Sequence, residues 1–220
     1  MTIIQLFESF VALLLAIFKF NVTLTFFAIL FAFPVASILA FGRLSRYKII
    51  YYPVTVYINV LRSSPLLMVM FWTYYTAPML LGGNVNALHA ALIGLTAFEA
   101  AYFAEFIRSG LQSVRTDQRT AGLATGLKPW QVSFYIVWPQ AIRRMLPSLL
   151  TQSIIAFQDS TLASIIGVRE VVRTTAIINA REVKPIIMYT MLAVIYLILC
   201  FLLSRLVKNI DKRIKRRAQI

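Results

Sequence analysis

Three carboxylates sit in apolar surroundings where an ionised side chain is expensive: Glu99, Glu105 and Asp159. Burying one in hydrocarbon costs about 3 kcal/mol on insertion scales, so each must face protein or a water-filled path. The chemistry open to them is proton carriage, ion pairing or recognition of a cationic group. Arg62, close to Pro65, is the only basic residue near the interior of an apolar run and is the candidate partner for an anionic group. Other chemistries are poorly served. A single cysteine, Cys200, and a single histidine, His89, cannot build an intrachain disulfide, a structural zinc site or an iron–sulfur site. Cys200 lies in the apolar run 192–203 and reads as a small buried hydrophobe, and His89 at the edge of a polar break reads as solvated. No Gly-x-x-x-x-Gly-Lys-Ser/Thr loop occurs, so ATP binding and hydrolysis of the usual kind are excluded for this chain.

The elements that position these groups must be membrane helices. Of 220 residues, 60% are hydrophobic and 14% charged, and the mean hydropathy is +0.77; this is the composition of a chain in a bilayer. About 20 residues at 1.5 Å rise cross a hydrocarbon core of about 30 Å. On that measure the first span is Val22–Phe41, the third Ala87–Ile107 with Glu99 and Glu105, the fourth Ile142–Gly167 with Asp159, and the fifth Pro185–Val207. The second run, Ile49–Leu81, is broken at Arg62-Ser63-Ser64-Pro65 and reads as an interfacial or kinked entry followed by a membrane segment. Gly82-Gly83-Asn84 ends it with a turn signal. The expectation is an all-α polytopic membrane protein of five transmembrane helices in one domain. Residues 1–19 carry too short an apolar stretch to span alone and read as an interfacial segment, with a sixth span left open.

The formal net charge is +14. Placing the Arg43–Lys48 loop, Arg62, the Arg108–Arg144 loop and the tail after Arg205 on one side leaves only Lys19, Arg169, Arg173, Arg181 and Lys184, of 22 basic residues, on the other. The positive-inside rule then sets the N-terminus outside and the basic tail, residues 208–220, in the cytoplasm, where it would meet anionic lipids. No basic run interleaved with aromatics points to nucleic acid. The outer segment Val168–Lys184, with Arg169, Glu170, Arg173, Arg181, Glu182 and Lys184, reads either as a solvated loop or as a mixed polar surface for a soluble protein.

Residues 109–141, between the third and fourth spans, form a loop too long to lack structure of its own. Asp117 is placed to cap a short helix over Gln118–Thr125, Gly126 to supply a left-handed C′ position, Pro129 to start a second helix at N1 and Pro139 to close it.

Within that loop, Gln118-Arg119-Thr120-Ala121-Gly122-Leu123-Ala124-Thr125-Gly126-Leu127, followed by Trp138-Pro139-Gln140-Ala141, resembles the "EAA" loop of bacterial ABC-importer permeases. Thr120 stands where that family usually has Glu, and Gly122 where it has Ala. Glycine inside a helix costs about 1 kcal/mol relative to Ala, which predicts a coupling helix that is soft or that takes its order from the ATPase. Three further blocks resemble the polar amino-acid branch in the same order: Tyr57-Ile58-Asn59-Val60-Leu61-Arg62-Ser63-Ser64-Pro65-Leu66-Leu67, Ala101 to Leu111, and Phe157-Gln158-Asp159-Ser160-Thr161-Leu162. Within the branch, Val60-Leu61-Arg62-Ser63, Phe98-Glu99-Ala100-Ala101-Tyr102 and Leu149-Leu150-Thr151-Gln152 followed by Phe157-Gln158-Asp159 look most like glutamate/aspartate importer permeases.

The resemblance implies a permease subunit of the bacterial inner membrane, without an ATPase site or cofactor of its own. It would work with a cytoplasmic ABC ATPase dimer that binds ATP and magnesium, a second permease copy, identical or not, and a periplasmic amino-acid-binding protein. Thr120, Ala121, Gly122, Ala124, Gly126 and Leu127 would couple to the ATPase. The substrate path would pass Arg62, Glu99, Tyr102, Gln158 and Asp159. On the residues alone the substrate stays open among acidic amino acids, basic amino acids and glutamine, because deep carboxylates suit a cation or an ammonium whereas Arg62 suits a carboxylate. An ion-coupled secondary transporter, with Glu99, Glu105 and Asp159 as proton carriers, is the competing class. Glu105 and Arg108, spaced i, i+3, read as an ion pair near the cytoplasmic end of their helix.

Overall fold

The computed structural model describes residues 3–82 and 85–218. Gly83 and Asn84 of the expected turn lie outside the described residues, as do the side chains of Lys215, Arg216 and Arg217 in the tail. All regular structure among the described residues is helical: α1 (Ile3–Ala16), a π-helical turn Ile17–Val22, α2 (Thr23–Arg43), α3 (Lys48–Ser63), α4 (Leu66–Leu81), α5 (Ala87–Gln112), α6 (Thr116–Ala124), α7 (Pro129–Gln131), a π-helical turn Val132–Val137, α8 (Trp138–Asp159), a 3-10 turn Ser160–Ser164, α9 (Val171–Glu182) and α10 (Pro185–Ala218). Among the described residues three helices are long and apolar enough to cross a membrane, and a fourth crossing arises if the bent pair α3 and α4 is taken together. α8 supplies the fifth helix of the bundle; Arg143, Arg144, Gln152, Gln158 and Asp159 lower its hydropathy.

Close packing without large side chains holds the centre. α2 turns Ala28, Ala32, Ala36 and Ala40, each fully buried at a spacing of four, toward α5, whose inner face carries Ala90, Ala91, Gly94, Ala100, Ala101 and Ala104. Small residues let the two backbones approach, which is how helices associate where lipid removes the hydrophobic driving force. Leu24 and Ala28 share a cluster with Ala90, Ala91 and Leu95, and Ala36 and Ala40 share one with Ala104 and Ile107, so α2 and α5 run parallel. α8 runs antiparallel to α5: Gly110 lies against Ala141 and Met145, and Glu99 against Gln152.

The expected break at Arg62–Pro65 is a bend of 113° between α3 and α4. Pro65 removes a helical donor and biases Ser64 to the extended backbone it adopts. α3 packs its Val54 against Gly42 at the end of α2, and α4 then returns along α5 with Met70 and Thr73 against Gly94.

Four expectations change. Pro139 does not close a helix: the chain is helical from Pro129 to Asp159, and the π-helical turn Val132–Val137 directly before it widens the backbone where the ring would otherwise strike the carbonyl four residues back. Asp117 is not the cap of α6. Arg115 holds that position, and Asp117 sits in the first turn, paired with Arg115 at 2.7 Å. The segment 168–184 is not a loop but contains α9, ended by Val183 in the left-handed conformation (φ 51°). Glu170 is fully buried and belongs to no outer surface. It caps α9 by accepting the Arg173 N–H at 2.9 Å and accepts Asn21 Nδ2 at 3.2 Å, while Asn21 Oδ1 accepts the Val171 N–H. Asn21 reaches this cap from the π-helical turn that joins α1 to α2, so one polar cluster ties the N-terminal helix to α9. α1 itself is continuous with α2 through that turn.

Candidate functional site

α5 carries Glu99, Tyr102 and Glu105, and its turns send them to different neighbours. Glu99 faces α8, is fully buried, and accepts two contacts from Gln152 Nε2 at 3.2 and 3.4 Å. Asp159, the last residue of α8, is half-buried. Tyr102, one turn on, faces α3: its hydroxyl donates to the Arg62 carbonyl at 3.3 Å, and its ring lies under the Arg62 guanidinium at 5.3 Å. Arg62 and Tyr102 are therefore brought together, whereas Glu99 belongs to the α5–α8 seam and lines no open surface.

Glu105, a further turn along, is an ionic hub. It pairs with Arg108 as its spacing predicts, with Arg43 Nη1 at 2.6 Å, and has Arg62 Nη1 at 4.0 Å. Arg43 was invisible as a partner in the sequence because it comes from α2, 62 residues away. Three guanidiniums around one carboxylate leave two positive charges in surplus.

A polar stripe runs along the outside of α8. Arg144, Ser148, Thr151, Ile155 and Gln158 recur at spacings of three and four and all are exposed. Ser148, Thr151 and Ile155 line, with Phe106 of α5, Pro147 and Gln152, a groove of about 340 Å³. A polar stripe on the outside of a membrane helix must face water or protein, not lipid. Of this stripe only Gln158 was among the sequence candidates; the polar 3–4 spacing of Ser148, Thr151 and Gln158 was the available signal. α10 is the contrast, with Leu197, Ile198, Phe201, Leu202 and Leu206 exposed, as a lipid-facing helix would be.

The residues of α6 and the turn after it differ in exposure. Thr120, Ala121, Leu123, Ala124 and Gly126 are exposed, and Leu127 is half-buried. Gly122 is buried: a Cβ there would come within 2.6 Å of Ile136 Cδ1 and 3.1 Å of Val132 Cγ2. Packing against the π-helical turn thus leaves little room for a side chain at this position. Gly126 adopts φ +84°, as the left-handed C′ position predicts, and Pro129 is the first residue of α7, with Lys128 N–H donating to Gln131 Oε1 at 2.8 Å. Arg119 donates to the Leu111 carbonyl at 3.2 Å and Arg144 donates to the Ser113 carbonyl, so α6 and α8 are both fastened to the end of α5. His89 is exposed in the first turn of α5, and Cys200 is only partly buried.

Comparison with known proteins agrees with this geometry. Residues 32–216 match the family model described as the binding-protein-dependent transport system inner membrane component. The glutamate/aspartate import permease protein GltK of Escherichia coli O6:H1 is 35% identical over 184 residues, 80% of this chain and 82% of that one. The glutamine transport system permease protein GlnP of Escherichia coli K12 is 34% identical over 161 residues, 73% of this chain and 74% of that one. Among solved structures, an amino acid ABC transporter with histidines superposes with a TM-score of 0.89 at 27% identity, covering 97% of this chain and 99% of its own. An inward-facing MetNI methionine ABC transporter shares the fold at a TM-score of 0.71 and 19% identity, covering 97% and 99%. With five bundle helices, a short helix carried on the loop between α5 and α8, and a family match over most of its length, this chain belongs to the binding-protein-dependent transport system inner membrane components.

Proposed function

We propose that the chain is the permease subunit of an ATP-driven importer of polar amino acids, with glutamate and aspartate as its substrates. The observation that carries this reading is the exposed polar stripe on α8, which continues from the fastened coupling segment toward Gln158 and Asp159. It gives a zwitterion hydrogen-bonding groups along a helix that the coupling segment can move. The substrate class is supported by the glutamate/aspartate relative at 35% identity and by the surplus positive charge at Arg62, while Asp159 offers a carboxylate for the α-ammonium.

In this reading Thr120, Ala121, Leu123 and Ala124 dock into a cytoplasmic ABC ATPase that holds ATP and magnesium. A second permease copy closes the path, and a soluble binding protein delivers substrate at α9, where Arg169, Arg173 and Arg181 are exposed. The N-terminus lies outside and the C-terminus in the cytoplasm, which gathers the Arg43–Lys48 turn, α6 and the basic end of α10 on one side.

The test is uptake into proteoliposomes that contain this chain with the permease and ATPase encoded alongside it and the cognate binding protein outside. Enclosed ATP and magnesium should drive accumulation of labelled glutamate, and a proton or sodium gradient without ATP should not. Accumulation driven by a gradient alone would contradict the reading and favour a secondary transporter. ATP-driven uptake of glutamine or arginine but not glutamate would move the substrate class.

A further inference from the structure

We propose that Asn21 is a positioning residue that ties α9 to the end of α8, so that a soluble protein docking on α9 displaces the end of α8 that carries Gln158. The inference rests on the importer reading above, in which that protein delivers substrate at α9.

Three elements meet at one side-chain amide. Asn21 Nδ2 donates to Ser160 Oγ at 3.0 Å and to Glu170 Oε2 at 3.2 Å, which uses both of its hydrogens, and Asn21 Oδ1 accepts the Val171 N–H at 3.2 Å. Asn21 itself stands in the π-helical turn that joins α1 to α2. Ser160 is the residue directly after α8, and its hydroxyl donates to the Phe157 carbonyl at 2.7 Å, inside the last turn of that helix. Glu170 and Val171 are the cap and the first residue of α9. The C-terminal end of α8 and the N-terminal end of α9 are therefore held by the same group.

The surroundings make this tie stiff. Asn21, Ser160 and Glu170 are all fully buried. Leu13 and Ile17 of the N-terminal helix pack in one buried apolar cluster with Phe157 and Val171, the residues next to Ser160 and Glu170 in the hydrogen-bond chain. A buried polar group that loses its partner has no water to replace it, so the three elements keep their bonds by shifting together. Both ends of the tie lead to surfaces with a role in transport. On α9, Arg173, Ala176, Ala180 and Arg181 are exposed, and a protein seated on them would bear on the helix whose first turn Asn21 holds. On α8, Gln158, exposed in the polar stripe, stands two residues before Ser160. Asn21 lies outside residues 32–216, the part of the chain that the family model matches.

The experiment measures ATP hydrolysis by the purified transporter, assembled with its ATPase and second permease, with and without the substrate-loaded binding protein. Ser160→Ala cuts the tie at α8 and leaves the cap of α9 in place. It should lower the stimulation by about fivefold or more, the lower end of couplings between distinct sites. Basal hydrolysis, and affinity for the binding protein without nucleotide, should be unchanged. Thr175→Val is the control: Thr175 is fully buried in α9, and its hydroxyl donates to the Val171 carbonyl at 2.8 Å, outside the tie. It should keep the stimulation even where its thermal midpoint falls as far as that of Ser160→Ala. Full stimulation in an intact Ser160→Ala complex, or equal losses in the two variants, overturns the inference. If Ser160→Ala does not assemble, Asn21→Ala is read in the same way, and failure of both to assemble shows a folding element and overturns it as well. An unsubstituted complex that the binding protein does not stimulate also ends it. ATP-driven glutamate uptake by the unsubstituted transporter in proteoliposomes would still uphold the importer reading in each of these cases, whereas its absence there would remove both.

Discussion

Gly126→Val should reduce binding-protein-stimulated ATP hydrolysis and substrate uptake together, by about tenfold or more, while the amount of chain inserted in the membrane is unchanged. Gly126 holds φ +84° just after α6, and nothing lies within 4 Å of an added Cβ. The penalty is therefore one of backbone conformation alone, of order 1–2 kcal/mol for a side-chain-bearing residue and more for a β-branched one. That is small beside the stability of the bundle but falls at the point that aims α6. Gly126→Asn, which tolerates the left-handed region, should retain most activity, and Gly126→Ala should fall between. Equal stimulation in the Val and Asn variants would show that the aim of α6 does not depend on this residue.

Glu170→Leu should lower the stability of the solubilised chain by about 3 kcal/mol, read as a fall in the midpoint of thermal unfolding in detergent. The loss combines the cap of α9, worth about 1 kcal/mol, with the stranding of one of the two N–H groups of Asn21 Nδ2 in a buried place. Asn21 is itself fully buried and also donates to Ser160 at 3.0 Å. Glu170→Gln keeps an acceptor for the Arg173 N–H and should cost less than half as much. An unfolding midpoint in Glu170→Leu that matches the unsubstituted chain would mean that the cluster does not hold α1 to α9.

The features that were legible in the sequence are those set by local chemistry. Twenty-residue apolar runs, the Ser64-Pro65 break, the left-handed Gly126 and the Pro129 start all follow from one or two residues whose backbone preferences are strong. Pro139 misled because a proline's local preference can be met by widening the turn before it, and the signal for a π-helical turn is not in the proline. Glu170 misled for the opposite reason. Its neighbours Arg169 and Arg173 look like an exposed charged surface, and only the tertiary approach of Asn21, 149 residues away, takes the carboxylate inside. Gly122 reads as a weak point in a helix, and in the structure it lets α6 pack closely on Val132 and Ile136. Of the candidate site, the Glu105–Arg108 pair was readable from its spacing. The role of Arg43 was not, because it depends on α2 and α5 lying parallel through their alanine faces.

The polar face of α8 should meet water while α10 meets lipid. With Cys200 first replaced by Ser, single cysteines at Ser148, Thr151 and Gln158 should be modified by a charged, membrane-impermeant thiol reagent in the assembled transporter, and ATP should change the rates as the path opens and closes. Cysteines at Leu197 and Phe201 should react only with a lipid-soluble maleimide. Modification at Leu197 and Phe201 with protection at Ser148, Thr151 and Gln158 in every nucleotide state would contradict the path.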